Sequence, residues 1–198
     1  MPYISEPTGD ALSEQARKQQ EKLREQTGYV PNYAKIFGHR PDVLAAWGQL
    51  IAAIRGHMEQ RRYELVTIAA ARALHSSYCQ LAHGSVLLDA GTFTEAELCE
   101  VGRDYERAGL TPAEVAMMTF AQKVVREASA ITAADVEGLR RHGLDDADIL
   151  DVVLAASARC FLSKTVDGVG AQPDPAFERL SPALREVLVT GRPIQPAG

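Results

Sequence analysis

Between Glu64 and His83 the chain reads Glu-Leu-Val-Thr-Ile-Ala-Ala-Ala-Arg-Ala-Leu-His-Ser-Ser-Tyr-Cys-Gln-Leu-Ala-His. An apolar, alanine-rich run stops at the polar break His75-Ser76-Ser77, and a second helix-forming run follows. Serine at an N-cap accepts a hydrogen bond from the free N–H groups of a first helical turn, so the break predicts a helix starting near Ser77 and capped by Ser76. Cys79 then falls in that first turn, where the helix dipole and the free N–H groups favour a thiolate. His83 stands at i+4 from Cys79, on the same face and one turn along. Glu64 lies on the preceding helix, which folds back toward both if the break is a tight turn. A thiol, an imidazole and a carboxylate are the parts of an activated sulfur nucleophile with a proton relay.

The same helix-and-break grammar continues along the chain. A polar helix is expected over residues 10–26, with Leu12, Ala16 and Leu23 as a thin apolar side, ended by Thr27-Gly28. A short segment carries Tyr33, Ile36 and Phe37 up to Gly38. Pro41 suits a first helical turn, and Val43, Leu44, Trp47, Leu50, Ile51 and Ile54 recur at helical spacing up to Gly56. Helices are expected over 60–74 and 77–90. Thr94-x-x-Glu97, Thr111-Pro-Ala-Glu114 and Thr132-x-x-Asp135 each have the capping-box pattern. Asp145 or Asp146 opens an apolar helix that passes Cys160 and is broken by Gly168, Gly170 and Pro173, and Ser181-Pro182 opens a last short one. Residues 1–9 and 191–198 read as a loose arm and tail. No run alternates in polarity as strands do. The expectation is all-α: one domain over residues 1–198, folded as a compact multi-helix bundle.

Composition excludes several functions. The 198 residues, 46% of them hydrophobic, suffice for one substantial core. A net charge of −5 with no long basic run argues against nucleic acid or an anionic membrane as partner. Apolar stretches such as 152–156 are far too short to span a bilayer, and the first residues lack a secretory pattern. Three widely spaced cysteines make no disulfide framework and suit a reducing compartment, so a cytoplasmic location is expected. Cys79, His83 and Glu64 are of metal-ligating types, but without a Cys-x-x-Cys pair the expectation is no metal, and no cofactor is called for.

Glu64, Ser76, Cys79 and His83 together form Glu-x11-Ser-x-x-Cys-x3-His. This is similar to the Glu-x11-Cys-x-x-Cys-x3-His motif of the alkylhydroperoxidase D and carboxymuconolactone decarboxylase superfamily. Gly28-Tyr-Val-Pro31-Asn32, Arg40-Pro41 through Trp47, Leu144 through Asp151, and Gly170-Ala-Gln-Pro173-Asp174 also resemble its peroxidase-related subgroup. The resemblance covers about residues 28–174. It implies an all-helical fold assembled as homotrimers or homohexamers, and a thiol-dependent hydroperoxide reductase in which Cys79 is the peroxidatic nucleophile and Glu64 and His83 relay protons.

The chain departs from that pattern where the family has its resolving cysteine, because Ser76 cannot form a disulfide. A sulfenic acid on Cys79 must then meet an external thiol, a thiol protein, or Cys160 or Cys99. Tyr78, Ser76 and His75 are candidate site-lining residues. Their plainer roles are packing for Tyr78, a helix cap for Ser76 and a surface position for His75. Cys99, Cys160, Tyr33, Phe37 and Trp47 read most simply as core. Two other functions fit the same scaffold: a carboxymuconolactone decarboxylase-like enzyme, and a redox sensor or oligomeric binding protein without turnover.

Overall fold

Cap residues and apolar stripes divide the chain into helices much as their spacing requires. The computed structural model describes residues 2–197; Met1 and Gly198, at the ends of the expected arm and tail, lie outside the described residues. Among these residues ten α-helices follow one another: α1 Glu14–Thr27, α2 Asn32–Ile36, α3 Pro41–Arg55, α4 Gln60–Ala73, α5 Ser77–Asp89, α6 Glu95–Asp104, α7 Pro112–Glu127, α8 Ala133–Arg140, α9 Asp146–Gly168 and α10 Pro182–Leu188. Among the described residues there is no strand, and no helix is long and apolar enough to cross a membrane.

The expected capping boxes close the starts of α6, α7 and α8 at Thr94, Thr111 and Thr132, and Asp145 with Asp148 makes another at α9. Each cap is worth about 1 kcal/mol. Helix α1 begins at Glu14, four residues later than expected. Ser13 accepts a hydrogen bond from the Ala16 N–H at 3.2 Å and so fixes the start there, while residues 9–11 form a separate 3₁₀ turn.

Helix α4 is the centre of the bundle and packs against α5, α7 and α9. Every residue from Tyr63 to Ala71 is buried. A helix apolar on nearly all sides belongs inside, and Ala69, Ala70 and Ala71 leave room for three neighbours to approach. Helix α3 lies over α9, and α10 closes on α5 and α6.

Arm and tail are irregular, but neither is loose. The Tyr3 N–H donates to the Val169 carbonyl at 2.7 Å, and a His39 ring nitrogen bonds the Ser5 carbonyl at 2.8 Å. The Gln195 N–H reaches the Pro173 carbonyl at 2.9 Å, Arg192 donates to the Asp167 carbonyl at 2.8 Å, and the Gly191 N–H donates to Ser77 Oγ at 2.8 Å. Proline keeps these segments out of helices, but their remaining backbone groups still find partners on the bundle.

Candidate functional site

The break at 74–76 turns the chain sharply between α4 and α5. His75 takes the left-handed backbone at φ 54°, and the antiparallel return lays α5 along α4. That turn brings Glu64 to His83. The imidazole Nδ1 bonds a Glu64 carboxylate oxygen, and Glu64 is 1% exposed. A carboxylate only accepts, so Nδ1 carries the hydrogen and Nε2 is left with the lone pair. Burial, followed by the nearby Arg159 charge, pushes His83 below its ordinary 6.5 against the opposing pull of Glu64. The ring is therefore a neutral base near pH 7.

Cys79 lies in the first turn of α5 with its side chain buried at 1% exposure. Its sulfur is held from the opposite side, by α9. The Ser163 hydroxyl donates to Sγ at 3.1 Å and the Arg159 Nη1 donates to it at 3.5 Å. Arg159 Nη2 also donates to the Tyr63 hydroxyl at 3.4 Å, and the guanidinium lies 5.7 Å from the centre of the Trp47 ring. Burial pulls Arg159 down, but Cys79 and Tyr63 more than offset it and its net shift is upward. The Tyr63 ring meets His83 edge to face at 6.0 Å, which joins the two halves of the cluster. Trp47 also lines a groove of about 470 Å³ between α1 and α3 with Tyr33 and Leu44.

The structure thus gathers Glu64, His83 and Cys79 on facing helices, and pairs the first two directly. The sulfur's own hydrogen-bond partners are Ser163 and Arg159, and the imidazole is not among them. The sequence reading missed Arg159, Ser163 and Tyr63. One signal for Arg159 was available: a charged residue at a core-facing position between Ala155, Ala156 and Leu162 of an apolar helix.

The other expected site residues point elsewhere. Ser76 is the N-cap residue of α5, but its hydroxyl makes no cap hydrogen bond and faces the Asp167 carboxylate instead. Tyr78 is buried and donates its hydroxyl to Asp174, which also accepts from the Asn32 N–H at 2.7 Å. His75 is exposed. All three cysteines are free thiols; Cys99 is buried on α6 and Cys160 is half-buried on α9.

Residues 41–123, which carry Glu64, Cys79 and His83, match the model of the Carboxymuconolactone decarboxylase family. No curated protein sequence matches the chain. Among solved structures, a peroxidase-related protein from Ralstonia eutropha JMP134 with an alkylhydroperoxidase AhpD core is similar at 26% identity and a TM-score of 0.79, over 89% of this chain and 94% of that one. A peroxidase-related protein from Silicibacter sp. TM1040 is similar at 23% identity and a TM-score of 0.77, over 90% and 94% of the two chains. The debrominase Bmp8 in complex with 2,3,4-tribromopyrrole is similar at 15% identity and a TM-score of 0.72, over 95% and 98%. The last two likenesses are of fold alone, and proteins of this shape carry more than one named activity.

Proposed function

The chain belongs to the alkylhydroperoxidase D and carboxymuconolactone decarboxylase superfamily, and on that premise we propose that it is a thiol-dependent hydroperoxide reductase with Cys79 as its single peroxidatic cysteine. The observation that carries this reading is a buried thiol held by two donors, one helical turn from a neutral His83 whose Nδ1 is fixed by Glu64. A structural cysteine needs neither a guanidinium nor an oriented imidazole beside it.

In the first half-reaction the Cys79 thiolate attacks the terminal oxygen of ROOH. The S–O bond forms as the O–O bond breaks, and the electron pair leaves on RO⁻. His83 Nε2 takes up the thiol proton beforehand and returns a proton to the leaving oxygen, so that Cys–SH and ROOH become Cys–SOH and ROH. Glu64 orients the ring and stabilises its charged form while the proton is in transit. With serine at position 76, no adjacent thiol resolves the sulfenic acid. One external thiol condenses with it to a mixed disulfide and water, and a second thiol releases Cys79 and the oxidised reductant.

Purified protein supplied with dithiothreitol should consume cumene hydroperoxide, and Cys79→Ser should lower the rate to that of the buffer. Equal rates in the two proteins would overturn the assignment. Thiol consumption that stops at one equivalent would instead identify a sensor that is oxidised once without turnover.

A further inference from the structure

Arg159 is the largest of the almost fully buried side chains of the bundle, at 2% exposure. A guanidinium taken out of water requires a counter-ion, since desolvation strongly disfavours an unpaired buried charge. Among the described residues no carboxylate lies within ion-pair distance of it, although twelve other pairs of a lysine or arginine with a carboxylate occur among them. Its polar neighbours are the Cys79 sulfur and the Tyr63 hydroxyl, and a thiol is by nature a stronger acid than a phenol. A second observation is independent of the first. The Arg159 Nε–H is buried and has no hydrogen-bond partner among the described residues, and a buried donor left unpaired is rare and calls for an explanation.

We infer that Arg159 is a catalytic residue whose guanidinium holds Cys79 as the anion through Nη1 and keeps its Nε–H for an electronegative atom of the incoming substrate. The inference deepens the peroxidase reading and rests on the same thiol. In that reaction the atom is the leaving oxygen, which gains the electron pair of the broken O–O bond. A donor already in place and shielded from water stabilises that charge with no reorganisation at the moment of bond breaking. Ser163, one turn along α9 from Arg159, also donates to the sulfur at 3.1 Å and steadies the nucleophile. The arrangement favours a compact ligand with a partial or full negative charge, because the free donor is enclosed and belongs to a cation.

Alkylation tests this without any peroxide. Iodoacetamide and iodoacetate react with thiolates in the same way, but only iodoacetate brings a carboxylate for the free donor. In the native protein the ratio of iodoacetate to iodoacetamide rates at Cys79 should exceed that of glutathione by about tenfold or more, a modest share of what one charge at contact distance is worth in a buried site. Arg159→Gln should bring the ratio down to the glutathione value, with the rates in both proteins read at the Cys79 peptide by mass spectrometry. Arg159→Lys, which keeps the charge without the planar fork, should keep part of the iodoacetate preference and lose the reaction with cumene hydroperoxide. A native ratio at or below that of glutathione would overturn the inference and needs no variant to fold. An unchanged ratio in a folded Arg159→Gln protein would do the same. A raised ratio in a protein that turns over no peroxide would leave Arg159 its role and remove the peroxidase reading.

Discussion

His83 is subject to opposing influences whose balance can be measured. Burial and the Arg159 charge disfavour its protonation, and Glu64 favours it, with the net shift downward from 6.5. The unfolded chain takes up a proton on this ring near 6.5, whereas the folded chain does so only at lower pH. Between those values acid favours the unfolded state. The stability that His83 contributes is therefore complete above the unfolded value and is lost as pH falls through the folded one. Urea unfolding of the native protein should show a midpoint that falls between about pH 7.5 and pH 5.5, and His83→Gln should flatten that slope. A slope unchanged by the substitution would mean that another group titrates. At this scale the Cys79, His83 and Glu64 set was legible because a helical repeat turns sequence spacing into a shared face. Arg159 and Ser163 were not, because they lie about eighty positions further on and nothing local to Cys79 points to them.

Among the elements, helix existence was almost wholly legible. Thr94, Thr111, Thr132 and Asp145 are local signals, and each one caps the helix that its pattern announces. The start of α5 shows where local grammar fails. Ser76 has the identity of a cap, yet the serine that receives a backbone N–H is Ser77, and the donor is Gly191 in the returning tail. The tail lies so close that a Cβ on Gly191 would overlap the His75 carbonyl oxygen, a backbone atom with little freedom to move. Gly191→Ala should therefore lift residues 189–195 from the turn and destabilise the protein by roughly 1–3 kcal/mol, with faster amide exchange at the first turn of α5. Gly168→Ala, with nothing within 4 Å of its added methyl group, is the matched control and should change stability far less. Equal effects would show that the close approach at Gly191 is not maintained in solution.

Across the whole molecule, the chain's distant parts meet in one buried polar network. Asp174 accepts from the Asn32 N–H and from the Tyr78 hydroxyl, while the Asn32 side chain donates to the Gln195 side chain at 2.6 Å and to the Gln172 carbonyl at 3.1 Å. Long-range ties of this kind leave no periodic trace, so the tail read as loose and Tyr78 read as site lining or as packing, with nothing to point from it to Asp174. The network has a distinctive energetic signature. Burial raises Asp174 above 3.8, and the Tyr78 hydroxyl opposes the shift by stabilising the charge. A carboxylate with a raised folded value strengthens the fold below 3.8 and weakens it as pH rises through that folded value. Tyr78→Phe removes the opposing donor and leaves the buried charge short of a partner. It should cost about 1–3 kcal/mol near neutral pH. The deficit should shrink in acid, where Asp174 is neutral in the folded and the unfolded chain alike. A loss from Tyr78→Phe that is the same at both pH values would mean that the phenol contributes packing alone, and that the tie between the two ends of the chain is held by Asn32.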